Sequence, residues 1–191
     1  MEKGQSLTTT SGALQKSCSV SLAALTPKAL QSSCKGIATP LQAADSGMPC
    51  MAVLVREYGA EMVEALIKLQ LVELNELLNL KRPLTERMID VIASDIVSDF
   101  RDLNMADVWL VFRRARSGHY GELYESLNTA KVEGWFHEYF NERCSAAEEE
   151  SIRESDQFKL DTRRVSETLR EKEHRIAAGA MRIRMEGTPP E

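Results

Sequence analysis

The sequence predicts an all-α protein: a small helical bundle core with a disordered N-terminal leader and a charged C-terminal helix or tail. Three observations predict it. Apolar residues between Met51 and Cys144 recur at steps of three to five, the spacing of a helical face. Residues that start and stop helices punctuate the same stretch. No segment of any length alternates with the period of a strand. The organisation that follows is a leader over 1–49, a helical bundle domain over 50–144 and a partly helical, charged tail over 145–191.

The leader is rich in Ser, Thr, Gln, Gly and Ala, and Pro27, Pro40 and Pro49 interrupt it. Such a composition predicts too little buried surface to offset the entropy of ordering the chain. One short helical turn is expected at Pro27 to Gln31, with Thr26 as N-cap and Pro27 in the first helical position.

Val53, Leu54 and Tyr58 then mark a short helix that Gly59 ends. From Glu61 the apolar stripe is wide. Met62, Leu66, Leu69, Val72 and Leu77 are joined by Val63, Ile67, Leu71, Leu74 and Leu78, which predicts a central helix stopped by Pro83. Thr85 is the expected N-cap of the next helix, whose inner face is Met88, Ile89, Ile92, Ile96 and Phe100. Asn104 with Asp107 three residues on reads as an approximate capping box for a third long helix that buries Met105, Val108, Trp109, Phe112 and Ala115. Gly118 closes it in the left-handed region. Asn128 caps the last core helix, where Val132, Trp135, Phe136, Tyr139, Phe140 and Arg143 share a side. Beyond Glu148-Glu149-Glu150 only Val165, Leu169 and Ile176 hint at a narrow seam, so residues 145–185 read as a solvated helix that orders fully against a partner.

Composition narrows the function. A net charge of −5 argues against a general nucleic-acid coat but leaves room for a local basic patch. Cys18, Cys34, Cys50 and Cys144 include no pair two to four residues apart, so free thiols are expected rather than a zinc site or a disulfide framework. No run approaches the roughly 20 apolar residues of a membrane span, and Val20 to Leu25 is too short and polar for a signal core. The expectation is a cytoplasmic protein with no metal and no cofactor.

Catalytic patterns fail one by one. His137-Glu138 begins the pattern of a helical zinc protease site, but Asn141 stands where the second histidine is required. Glu73 with Glu76, Asp95 with Asp99, and Glu122 with Glu125 have helical spacing that fits a solvated face as well as acid–base work. No glycine-rich phosphate loop occurs, and His137 lies two helical turns from Cys144, too far for a thiolate–imidazole pair. No catalytic residue is assigned.

The surface that stands out is Arg113-Arg114-Ala115-Arg116-Ser117-Gly118-His119-Tyr120-Gly121. Guanidinium groups at a helix end can grip phosphates, and Tyr120 would offer a face to a base. Arg113 and Arg116 are expected on one side of the helix, away from Trp109 and Phe112, with the Lys81-Arg82 turn nearby. Cations at a helix C-terminus also complement its dipole with no ligand at all. The candidate binding residues are Arg113, Arg114, Arg116, His119 and Tyr120.

Four stretches carry a resemblance: Leu80 to Thr85, Ala106 to Ala115, Gly118 to Tyr124 and Trp135 to Tyr139. Together, and above all in Phe112-Arg113-x-Ala115-x-x-Gly118-x-Tyr120-Gly121, they resemble an uncharacterised family of small helical bacterial proteins common in prophages and conjugative elements. The likeness covers about a third of the chain and implies no established activity. The organisation is also similar to that of small phage replication accessory proteins, including helicase loaders. The resemblance thus implies an accessory role in DNA replication or recombination, with DNA or a replication protein as partner. Lacking a phosphate loop, any loader-like role would be that of an adaptor without ATPase activity. The alternative is a structural or regulatory protein-interaction module with no nucleic-acid role.

Overall fold

The structure is a computed structural model that describes residues 20–121 and 126–186, with side chains as far as residue 177. Its secondary structure is helical throughout, as the apolar spacing predicts, apart from isolated bridges at Cys50–Asn104 and Arg82–Ser126. The chain divides into two compact units with the boundary between Phe140 and Asn141, four residues before the expected one. No described helix is long and apolar enough to cross a membrane.

In the first unit a 3-10 turn (Leu22–Leu25) leads into α1 (Pro27–Ser33) and α2 (Pro40–Ala44). These elements correct the expectation of a disordered leader for its described part, residues 20–49; residues 1–19, with Cys18, lie outside the described residues. Leu25, Leu30, Cys34 and Ala43 are fully buried in the common core. Each helix is too short to show a period in sequence, yet each contributes one or two inward side chains. Local chemistry starts them: Pro27 occupies the first turn of α1, and Thr39 with Gln42 forms a reciprocal capping box on α2. Polar anchors tie the segment down. Gln70 Nε2 donates to the Leu25 carbonyl at 3.5 Å, and the Tyr58 hydroxyl donates to the Val20 carbonyl at 2.9 Å.

Next come α3 (Met51–Tyr58) and α4 (Ala60–Leu78), separated by Gly59 at φ 86°. The wide stripe of α4 splits. Val63, Leu66, Ile67, Leu71 and Leu74 face inward, whereas Met62, Leu69, Val72 and Leu77 are exposed. The helix is therefore amphipathic rather than central. It ends at Asn79 in the left-handed conformation, four residues before Pro83. Asn75 then clamps the returning chain, donating to the Leu84 carbonyl at 3.1 Å and accepting from the Leu84 amide at 2.9 Å.

Helix α5 (Glu86–Asp99) begins at the expected cap Thr85, and α6 (Met105–Arg116) at Asn104. Both amides of Ala106 and Asp107 donate to Asn104 Oδ1, at 2.8 and 3.0 Å, while the Asn104 amide donates to Asp107 at 2.8 Å. Asn128 caps α7 (Thr129–Glu186) through the Lys131 amide at 2.9 Å. Up to Phe140, α7 belongs to the first unit and buries Val132, Trp135, Phe136 and Tyr139 against it, as its spacing predicts. In the second unit every side chain from Ser151 to Ala177 is exposed.

If residues 20–49 belong to the fold, truncating their buried side chains must be felt. Leu25→Ala and Leu30→Ala are each expected to lower unfolding free energy by about 2–5 kcal/mol in urea titrations. A change near zero for both would restore the leader reading.

Candidate nucleic-acid interface

Eight consecutive residues of α6, Met105 to Phe112, are buried, so its arginines emerge only in the last turn. That turn places three guanidinium groups at the negative end of the helix dipole. Gly118, at φ 80°, lets the chain reverse, with the His119 amide donating to the Arg114 carbonyl at 3.0 Å. The three arginines then part company.

Arg113 and Arg116 reach one cleft of about 430 Å³, which they line with Lys35, Gln31, Ser32 and Trp109. This corrects the expectation that the two would point away from Trp109: the Arg113 guanidinium lies 5.3 Å over the indole, within cation–π range. Arg113 Nη1 also donates to the Ile37 carbonyl at 2.6 Å, fixing it against the loop between α1 and α2. A guanidinium has five N–H donors, and this bond engages one of them. Partial desolvation lowers the pKa of Arg116; Glu73 opposes the shift, and the like charge of Arg113 adds to it. The indole of Trp109 is only 7% exposed, so the cleft offers cations over an aromatic floor rather than a free stacking face.

The remaining predicted residues sit elsewhere. Arg114 lies over the Tyr139 ring at 5.5 Å. Tyr120 stacks on Trp135 at 5.8 Å and 18°, and His119 meets the Tyr120 ring edge-on at 5.0 Å. One face of Tyr120 is thereby covered by a core residue. Tyr124 lies outside the described residues. The Lys81-Arg82 turn uses its backbone elsewhere, the Leu127 amide donating to the Arg82 carbonyl at 3.2 Å, and neither residue lines the cleft. Lys35 is the contributor the sequence reading missed. A lone lysine beside Cys34 and Gly36 carries no signal until α1 is seen to dock beside α6.

Other titratable groups assemble around Glu133. Glu133 is held above the usual glutamate range, chiefly by desolvation and then by the Asp95 charge and a shared hydrogen bond with it; His137 opposes this and Asp99 adds to it. His137 is exposed and packs its ring edge-on against Phe100 at 5.1 Å. Among the described residues no group of three or more His, Cys, Asp or Glu side chains is arranged to hold a metal ion. Cys34, Cys50 and Cys144 are free thiols; burial pushes the Cys34 thiol up, with the Ser33 hydroxyl opposing. Cys34 and Cys50 lie within folded structure rather than in a loose leader. Comparison with known proteins finds no matching family model, no matching curated protein and no matching solved structure.

The raised pKa of Glu133 has a definite sign. Its folded form holds a proton more tightly than the unfolded chain does, so the contribution is present at low pH and lost as pH rises through the raised value. Glu133→Gln is therefore expected to be at least as stable as the wild type near neutrality, with the wild type gaining on it as the pH falls to about 4. Identical stability–pH profiles in urea titrations would contradict this.

Proposed function

We propose that this chain is a non-enzymatic, cytoplasmic accessory protein of nucleic-acid transactions, an adaptor that meets the phosphate backbone through the cleft beside Trp109. The observation that carries the reading is the convergence of Lys35, Arg113 and Arg116 on one cleft from two segments far apart in sequence. In a protein of net charge −5, such a cluster is a local attraction for an anion rather than part of a general coat. Bidentate guanidinium groups suit phosphate oxygens, and the covered Trp109 and Tyr120 rings favour backbone contact over base stacking. The resemblance to small proteins of prophages and conjugative elements supports replication or recombination as the setting, with a helicase-loader-like adaptor as its most specific form. A protein-interaction module without a nucleic-acid role is the second reading, favoured by the exposed apolar side chains along α7.

Fluorescence anisotropy with short duplex and single-stranded DNA tests the first reading. Removing one charge at Lys35, Arg113 or Arg116 should flatten the dependence of log affinity on log salt by about 0.9 on duplex or about 0.7 on single strands. Arg114→Ala should leave the slope unchanged, because its guanidinium lies over Tyr139. No DNA or RNA binding near 50 mM salt would end the nucleic-acid reading. A triple arginine-to-glutamate variant at 113, 114 and 116 would then be assayed against an acidic protein partner.

A further inference from the structure

The second unit carries a feature that the cleft does not explain. Phe158, Thr162, Val165, Leu169, Lys172 and Ile176 follow one another at steps of four and three, so they form a single stripe on α7. Four of them are large and apolar, yet Phe158 is 73% exposed, Val165 59%, Leu169 56% and Ile176 73%. Leu160 lies on the opposite face and Ile152 off the stripe, so the seam is narrow. A bare seam of this period is the surface of a two-stranded coiled coil.

We propose that this seam pairs with the same segment of a second copy of the chain, in antiparallel orientation about a two-fold axis near Glu167. The charge pattern selects that occupant. Reversing the segment about this point sets Phe158 opposite Ile176 of the partner copy, Val165 opposite Leu169, and Thr162 opposite Lys172. On the flanks it sets Lys159 opposite Glu173 and Asp161 opposite Arg175, all four contacts attractive. The residues that meet their own copies on the flanks at the axis are Ser166 and Thr168, small and uncharged. Lys172 covers Thr162 with its stem and carries its ammonium to water. Parallel pairing in register loses this match. It sets Lys172 against its own copy, places Asp161 beside Ser166 and Thr168 beside Glu173, and leaves Glu154 with Lys159 as the one opposite-charge flank pair, against two in the antiparallel register.

Within one chain Lys159 already meets Asp156 at 3.0 Å and Arg164 meets Asp161 at 3.9 Å. These pairs are solvent-exposed and weak enough to be exchanged or shared on association. Because the two copies offer the same patch to each other, the contact closes as a dimer and does not propagate into a filament.

Sedimentation equilibrium of the full chain at physiological salt tests this. The mass is expected to rise with concentration and to reach twice 21.4 kDa by about 100 μM. Leu169→Asp should give a monomer with unchanged helical circular dichroism from the first unit. Lys159→Glu and Glu173→Lys, both solvent-exposed and harmless to folding, should each weaken association by about tenfold, and the double swap should recover it. A monomeric wild type would assign the stripe to a different protein chain and overturn self-pairing. A Leu169→Asp chain that stays dimeric would overturn the seam. A double swap no better than either single change would overturn the antiparallel register.

Discussion

Asp107 is a carboxyl group with no exposure to solvent, and the first unit is organised around satisfying it. Burying such a group is costly unless hydrogen bonds replace its water. Its Oδ2 accepts from the Asn104 amide at 2.8 Å and its Oδ1 from the Tyr139 hydroxyl at 2.7 Å. Asn104 in turn sends Nδ2 to the Ala43 carbonyl at 2.9 Å while its Oδ1 caps α6. Three segments distant in sequence (the end of α2, the start of α6 and the first turns of α7) thus meet at one polar point inside an apolar core. Apolar packing alone tolerates sliding, whereas this network has only one register in which its donors and acceptors meet. Beside it the Met51 amide donates to the Leu103 carbonyl at 2.8 Å, so α3 is held to the same place.

The register set there decides what happens at the other end of α6. With its N-terminus pinned and its next two turns buried on nearly all sides, the helix can neither rotate nor shift. Arg113 and Arg116 are therefore delivered to the side where the turn after α1 supplies Lys35, and Arg114 to the side of Tyr139. One helix end provides cations for two different purposes: two at a cleft, and one against a core aromatic ring. The dipole favours all three without distinguishing among them.

Much of this was legible in the sequence, and the illegible parts share a cause. Capping chemistry is local, so Thr85, Asn104 with Asp107, and Asn128 could be read directly. Long amphipathic faces were equally plain on α5, α6 and the start of α7. Periodicity cannot show an element shorter than two helical turns: the start of α1 was legible only from Thr26 and Pro27, while α2, the preceding 3-10 turn and the burial of all three were not. Their burial rests on tertiary contacts such as Gln70 with Leu25 and Asn104 with Ala43, which join residues dozens of positions apart. The α4 stripe failed in the opposite direction. Its apolar residues cover more of the helix than its neighbours can, leaving Met62, Leu69 and Val72 outward. The candidate site mixed both cases: its arginines were visible as a run, but their division between the cleft and Tyr139 depends on neighbours that only the fold supplies.

The dependence of the cleft on α1 ties its shape to the stability of the fold. Lys35, Gln31 and Ser32 reach it only because Leu30 and Cys34, on the inward side of the same short segment, are buried. A seven-residue helix has little stability of its own, so its order derives from that packing. Arg113 strengthens the link through the Ile37 carbonyl, and in doing so gives up part of its hydrogen-bonding capacity to the loop after α1. An anion held in the cleft, as proposed above, would meet cations from the turn after α1 and from α6 and bridge them, resisting any opening of α1 from the core. Ligand binding and docking of the N-terminal segment would then be two faces of one equilibrium, each favouring the other by mass action.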